Sequence, residues 1–318
     1  MTIGVLALAR ISGERASALA AAGYAVHESQ GYANRMDAAR AAGEGVRAAL
    51  TNGRYGLSDE QMALMPNLEI VCATGAGYEA VDVEAARRRG IAVTHCPDSN
   101  GVAVADSAMM LLLATARHLV QADRFVRGGG WQEQWRIETP TITGKRLGVL
   151  GLGKIGRRIA ARASRGFEME IGYHNRTRVA DCAYRYFDDL TALASWADFL
   201  IVSAPGGPAT RHLVNAEVLA ALGPKGCLIN VGRGTTVDTD ALVESLRAGR
   251  LAGAGLDVLE GEPAVPPHLE ALLQLDNVII TPHIASRAPE ATAAATAMII
   301  ANLDAQFAGK PLPYAVPR

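Results

Sequence analysis

Three short segments gather the residues that can hold anions and move protons. Asn230–Gly234 reads Asn-Val-Gly-Arg-Gly and offers Arg233. Gly255–Pro263 offers Asp257, Glu260 and Glu262, and Thr281–Ser286 offers His283. Each begins at or follows a short apolar run that reads as a buried strand, which puts each at a strand's carboxyl end, where open α/β sheets bind ligands. A guanidinium forks onto a planar anion. An imidazole titrates near neutral pH and can give or take a proton. A fourth segment, Gly151-Leu152-Gly153-Lys154-Ile155-Gly156, lies between the apolar run Leu147–Leu150 and the helix-like Arg157–Ser164. Strand, glycine turn and helix are the context in which G-x-G-x-x-G reads as a dinucleotide fingerprint. Gly151 allows the tight turn, Gly153 the close approach of a pyrophosphate, and Gly156 the packing of helix on strand. The anion would rest on the helix's N-terminal amides.

The choice of dinucleotide is made about 20 residues further on, where an acid that reads the ribose hydroxyls marks an NAD site. Here the strand Glu168–Tyr173 ends in His174-Asn175-Arg176-Thr177-Arg178, with no acid. A carboxylate would repel a 2′-phosphate, whereas guanidinium and hydroxyl groups would hold one. NADP(H) is therefore expected in preference to NAD(H), with Arg176 as the main reader and Asn175 and Thr177 assisting.

The elements that must position these groups alternate along the chain. Strands are expected at Ile3–Leu8, Tyr24–His27, Val46–Leu50, Leu68–Ala73 and Ile91–Thr94. Helices between them are expected at Ser12–Ala22, Arg35–Ala42, Ser58–Met65 and Asp82–Arg89. A second series of strands follows at Leu147–Leu150, Glu168–Tyr173, Phe199–Ser203, Cys227–Val231, Gly253–Asp257 and Val278–Thr281. Helices at Lys154–Ser164, Leu190–Ser195, Ala216–Leu222 and Thr239–Ala248 complete it. Alternation of this kind implies parallel sheets covered on both faces. Val102–Leu119 reads as one long helix, apolar all round, suited to an interface, and Phe125–Trp135 as a loop. The last helix, Ala288–Phe307, finds no place in the second series and is expected to return to the first. The fold class is thus α/β with two doubly wound parallel-sheet domains, a discontinuous first domain at 1–98 and 287–318 and a dinucleotide domain inserted at 99–286. The tail Gly309–Arg318 is expected to be extended.

Bulk properties narrow the function. The 318 residues are 49% hydrophobic and 20% charged, with a net charge of −1, so neither nucleic acid nor a membrane surface is an expected partner. The four cysteines show no metal spacing and read as free thiols, so no metal is expected. The N-terminus reads as a first strand rather than a signal peptide, and a cytoplasmic location is expected.

Thr74–Asp82 (TGAGYEAVD), GLGKIG at Gly151, ALGPKGCLINVGRG ending at Gly234, AGLDVLEGEP ending at Pro263 and TPHIAS ending at Ser286 together resemble the D-isomer-specific 2-hydroxyacid dehydrogenase family over essentially the whole chain. Within it the chain is most similar to the NADPH-dependent glyoxylate, hydroxypyruvate and hydroxyphenylpyruvate reductases. The resemblance implies a flavodoxin-like substrate domain carrying an inserted Rossmann domain, reduction of a small 2-keto acid to the D-2-hydroxy acid, and a homodimer, with the 102–119 helix at its interface. It implies that Arg233 binds the substrate's carboxylate and carbonyl, that His283 is the acid/base, and that Glu262, in competition with Glu260, pairs with His283. The cofactor set it implies is Gly151, Leu152, Gly153, Lys154, Ile155, Gly156, Asn175, Arg176, Thr177, Ala204, Pro205, Val231, Gly232, Arg233, Asp257, His283 and Ser286, with Asp257 meeting the nicotinamide carboxamide. Ala76 and Gly77 are expected to hold the substrate carboxylate on backbone amides. Arg54 and Trp135 are further substrate-side candidates. A non-catalytic alternative is a dinucleotide-sensing corepressor of the same fold, although no disordered extension that would recruit partners is visible.

Overall fold

The computed structural model describes residues 2–136 and 138–317; the side chains of 134–136 are outside that description. The chain divides into two compact units, Met1–Asn100 with Arg287–Arg318, and Gly101–Ser286.

The first unit is built on β1 (Ile3–Ala7), β2 (Tyr24–Glu28), β3 (Ala48–Thr51), β4 (Ile70–Ala73) and β5 (Ala92–Thr94). All pair in parallel, in the order β2-β1-β3-β4-β5, which is the flavodoxin-like order. The central strands are short apolar runs because both faces are covered. Leu6, Val71 and Val93 pack with Met62 and Met65 on one face. Val5, Ala7, Leu50 and Ile70 pack on the other with Ala295, Ile299 and Leu303 of the last helix, Pro289–Phe307. That helix returns to the first sheet because its buried stripe is the cover β1 and β3 lack. The tail follows it: Ala315 bridges Thr94 antiparallel, and Val316 N–H donates to Val93 O at 3.0 Å.

The second unit holds β6 (Arg146–Leu150), β7 (Glu170–His174), β8 (Arg185–Tyr186), β9 (Phe199–Val202), β10 (Cys227–Asn230), β11 (Gly253–Leu256) and β12 (Val278–Ile280). Their order is β12-β11-β10-β9-β6-β7-β8, all parallel, the Rossmann arrangement with one further strand on the β12 edge. The order in which strands are added reverses between β6 and β9, so the crevice beyond their carboxyl ends is the switch point.

The structure corrects the sequence reading in three places. The expected helix 102–119 is two helices, Gly101–Ala116 and Leu119–Arg127, bent by 58° where His118 turns left-handed at φ 51°. The second helix and a 3-10 segment, Gly130–Arg136, occupy the stretch read as a loop. β7 begins at Glu170 because Glu168 is the left-handed cap of the preceding helix, φ 54°. No single described helix is long and apolar enough to cross a membrane.

Candidate active site

At two of the three motif glycines, Gly151 and Gly156, backbone contacts leave no room for a Cβ. Gly151 leaves β6 at φ +97°, and a Cβ there would stand 2.7 Å from Ala204 N. A Cβ on Gly156 would stand 2.2 Å from Gly151 O, so the helix Lys154–Phe167 can close on the turn only with glycine here. Gly153 is that helix's N-cap and has no side-chain cap; a Cβ on it would meet nothing within 4 Å. Open space therefore lies beside the first-turn amides of a 14-residue helix, the arrangement that suits a pyrophosphate. Leu152 is buried, Ile155 half-buried and Lys154 exposed. Ala204 is buried and Pro205 exposed.

Asn175 does not project outward like its neighbours. Its Oδ1 accepts the Leu152 N–H at 2.6 Å, which ties the end of β7 to the glycine turn. Arg176 and Thr177, one and two residues on, are exposed. Ser203, which sequence reasoning did not single out, donates from Oγ to Gly151 O at 2.8 Å. A hydroxyl at the end of the strand facing the turn was the only signal for it.

β10, β11 and β12 are adjacent in the sheet, and the loops after them carry Arg233, Glu262 and His283 in turn. His283 Nδ1 lies 2.6 Å from Glu262 Oε2. The other carboxylate oxygen, Oε1, accepts the Leu259 N–H at 2.8 Å. An ionised carboxylate only accepts, so the ring proton sits on Nδ1 and Nε2 is left for chemistry. The Glu262 side chain is 15% exposed and that of His283 is 30% exposed, so the pair is sheltered while the ring reaches solvent.

The turn that presents His283 is held by Asp257, which is 2% exposed. Its Oδ1 accepts from Thr281 Oγ1 at 2.6 Å and Ile284 N–H at 2.9 Å, and its Oδ2 from Ala285 N–H at 3.0 Å. The His283 amide donates to Asp257 O at 2.9 Å, with the residue left-handed at φ 54°. Asp257 is thus first a turn-capping residue. Asn230, also missed by sequence reasoning, brackets the Arg233 turn: Oδ1 accepts Gly232 N–H and Nδ2 donates to Arg233 O, each at 3.0 Å. Arg233 Nη1 donates to Gly232 O at 2.9 Å. Val231 and Gly232 are buried, and Ser286 is half-buried.

Glu260 has partners of its own. His212 Nε2 lies 2.9 Å and 3.1 Å from its two oxygens, and Arg211 Nη2 lies 2.8 Å from Oε1. Two glutamates two residues apart therefore serve two different histidines.

In the first unit, Asn52 Oδ1 accepts the amides of Arg54 and Tyr55 at 3.0 and 2.9 Å, and the Arg54 guanidinium lies 5.7 Å from the Tyr55 ring centroid. The loop Gly75–Gly77 is fixed by His95 Nδ1 on Ala76 O and by Cys96 N–H on Gly75 O, each at 2.9 Å. None of its residues takes positive φ, so it lacks the left-handed member of an αR–αL nest. Trp135's side chain lies outside the described residues. Among the described residues no group of three or more His, Cys, Asp or Glu is gathered as a metal site.

Comparison with known proteins bears on the family and the fold. Residues 109–285 match the family model described as D-isomer specific 2-hydroxyacid dehydrogenase, NAD binding domain. A hydroxyphenylpyruvate reductase of Plectranthus scutellarioides is 42% identical over 269 residues, 85% of each chain. A glyoxylate/hydroxypyruvate reductase of Arabidopsis thaliana is 42% identical over 84% of each chain. Among solved structures, an NADPH-dependent glyoxylate/hydroxypyruvate reductase from Sinorhizobium meliloti, in complex with NADP and malonate, superposes with a TM-score of 0.88 at 38% identity, covering 99% of this chain and 97% of that one. The flavodoxin-like sheet of the first unit, the Rossmann sheet of the second with the glycine turn at its switch point, and these similarities have one reading: the chain is an oxidoreductase that belongs to the D-isomer-specific 2-hydroxyacid dehydrogenase family.

Proposed function

We propose that the chain reduces a small 2-keto acid of the glyoxylate or hydroxypyruvate kind to the D-2-hydroxy acid, using NADPH in preference to NADH. The observation that carries this reading is the 2.6 Å Glu262–His283 bond, one sheet position away from the loop that bears Arg233. The glycine turn, the open first-turn amides and the backing from Ala204 fit a bound dinucleotide, with Gly151–Gly156 holding its pyrophosphate. Arg176 and Thr177, exposed past Asn175, would take the 2′-phosphate. Val231, Gly232, Pro205 and Ser286 would line the nicotinamide side, and Asp257 has one acceptor position left for the carboxamide. The relatives named as NADPH-dependent or solved with NADP support the same choice.

When bound, the cofactor supplies the hydride. The protein's own part is charge and proton control. Arg233 binds the substrate carboxylate in a forked contact and polarises the adjacent carbonyl, which stabilises the charge that gathers on its oxygen. His283, charged and oriented through Nδ1 by Glu262, gives its Nε2 proton to that oxygen. In the reverse direction the same nitrogen accepts it. Ala76 and Gly77 are assigned amide contacts to the carboxylate, and Arg54 and Trp135 a part in substrate selection. The exposed Val102 and Met110 of the helix Gly101–Ala116 support a homodimer, and the free cysteines a cytoplasmic location.

The test is a panel of glyoxylate, hydroxypyruvate, pyruvate, phenylpyruvate and 2-ketogluconate, each assayed with NADPH and NADH. Turnover of the small keto acids with a higher kcat/KM for NADPH is expected. No turnover on any keto acid, or a clear preference for NADH, overturns the corresponding half of the proposal.

A further inference from the structure

We propose that Glu260 and His212 are positioning residues that hold the loop after β11 so that Glu262 keeps its grip on His283. The proposal deepens the acid/base reading above and rests on it. Glu262 accepts hydrogen bonds from His283 Nδ1–H and from the Leu259 N–H. The second is only as firm as Leu259 itself. Leu259 is pinned on one side by Gly234, where a Cβ would come within 2.0 Å of the Leu259 carbonyl carbon. On the other side its neighbour Glu260 is anchored by His212 Nε2, by Arg211 Nη2 and by Thr239 Oγ1, the last at 3.5 Å.

That anchor reaches across the sheet. His212 belongs to the connection after β9, the strand whose end backs the glycine turn through Ala204. Its amide donates to Thr235 O at 2.9 Å, in the segment that follows Arg233. The Glu260 carboxylate therefore ties together the segments flanking Arg233 and Glu262. Its side chain is 16% exposed, so the tie is sheltered from competing water. Asp238, with Oδ2 at 4.0 Å from His212 Nδ1, faces the ring's other nitrogen. Without the tie, the Leu259 amide drifts, Glu262 loses one donor, and the carboxylate is free to turn away from Nδ1. Misplacements of this size far from the reacting atoms cost catalysis heavily.

The test uses the full-length protein and the variants Glu260→Ala, Glu260→Gln and His212→Asn. Asparagine is chosen because it tolerates the left-handed backbone that His212 adopts, φ 51°, so ring loss is separated from backbone strain. The first readout is the ring ¹⁵N shifts of His283 in histidine-labelled protein, assigned by their loss in His283→Gln. The proposal expects the Nδ1–H form in the wild type. In Glu260→Ala and His212→Asn the shifts move toward those of a freely exchanging imidazole, with Glu260→Gln between. The second readout is kinetic: kcat falls about tenfold in Glu260→Ala and His212→Asn while KM for NADPH stays within about twofold. Ring shifts unmoved in both variants overturn the proposal, whatever the rates. If the wild type turns over no keto acid, the functional reading fails, and the ring shifts still decide the positioning claim.

Discussion

Replacing Glu262 by glutamine tests the proton-transfer reasoning at its centre. The carboxylate accepts from two donors at once, His283 Nδ1–H at 2.6 Å and Leu259 N–H at 2.8 Å. Glutamine has one acceptor oxygen and one donor amide, so it can satisfy only one of them. If its oxygen stays on Leu259, its NH₂ faces Nδ1 and drives the ring proton to Nε2. The ring is then neutral, a poor acid in reduction and no base in oxidation. If the amide flips, NH₂ meets the Leu259 N–H donor to donor, and the unpaired group costs about 1–3 kcal/mol. Either way a charge-assisted bond of about 1.5–3 kcal/mol is lost. At about 1.4 kcal/mol per factor of ten, kcat should fall about 10- to 150-fold. KM for the keto acid should stay within about threefold, since the groups assigned to substrate binding are untouched. Steady-state oxidation of NADPH with glyoxylate or hydroxypyruvate measures both. The double variant with His283→Gln should be little worse than His283→Gln alone, because the two side chains act as one device. A Glu262→Gln enzyme with kcat within twofold of the wild type would refute the reasoning.

Other expectations follow from separate parts of the chain. Arg176→Ala should lower kcat/KM for NADPH about 10- to 100-fold and leave NADH nearly unaffected, since one charge-assisted contact to the 2′-phosphate is removed; equal losses with both cofactors would contradict that role. Burial favours a raised pKa for Asp198, but hydrogen bonds from the Arg146 side chain and backbone outweigh it and hold the carboxyl below the usual aspartate range. A lowered folded-state pKa gives stability that is full above the ordinary value of about 4 and lost as pH falls through the folded one. Asp198→Asn should therefore be less stable by about 1 kcal/mol in urea unfolding near neutral pH, and the gap should close as the pH falls below the usual aspartate range; a gap independent of pH would sink the linkage. Burial pushes the thiols of Cys72 and Cys96 up to about 12 and that of Cys227 up to about 11. With a thiol reagent near pH 8 the native protein should react quickly at Cys182 only, and at all four cysteines once unfolded; a fast reaction at more than one site would contradict the burial.

Much of the fold was legible because its determinants are local. The apolar runs at Ile3–Ala7, Phe199–Val202 and Cys227–Asn230 are short and unbroken, as strands covered on both faces must be. The elements that escaped notice lack such a signal. β8 is two residues, Arg185 and Tyr186, paired on one side only, and polar enough to read as loop. The break at His118 is a single left-handed residue between two helix-forming stretches, the first of which packs on the sheet. The site divides in the same way. Residue type and strand-end position offered Arg233, His283 and the two glutamates Glu260 and Glu262, and only the family resemblance favoured Glu262. Asn230 and Ser203, which brace the turns at β10 and β6, are ordinary polar residues until their partners are known.

By itself the sequence determined what depends on neighbours along the chain: the alternation of strands and helices, the glycine turn that no side chain could make, and the absence of an acid after β7. Tertiary structure decided what depends on neighbours in space. Glu260 and Glu262 are equivalent in composition and two residues apart, and either could serve a histidine. Only the order of β10, β11 and β12, with the turn that Asp257 caps, brings Glu262 to His283 and sends Glu260 to His212. Hydrogen bonds are short-ranged and directional, so the partner of a side chain is set by the fold that places it.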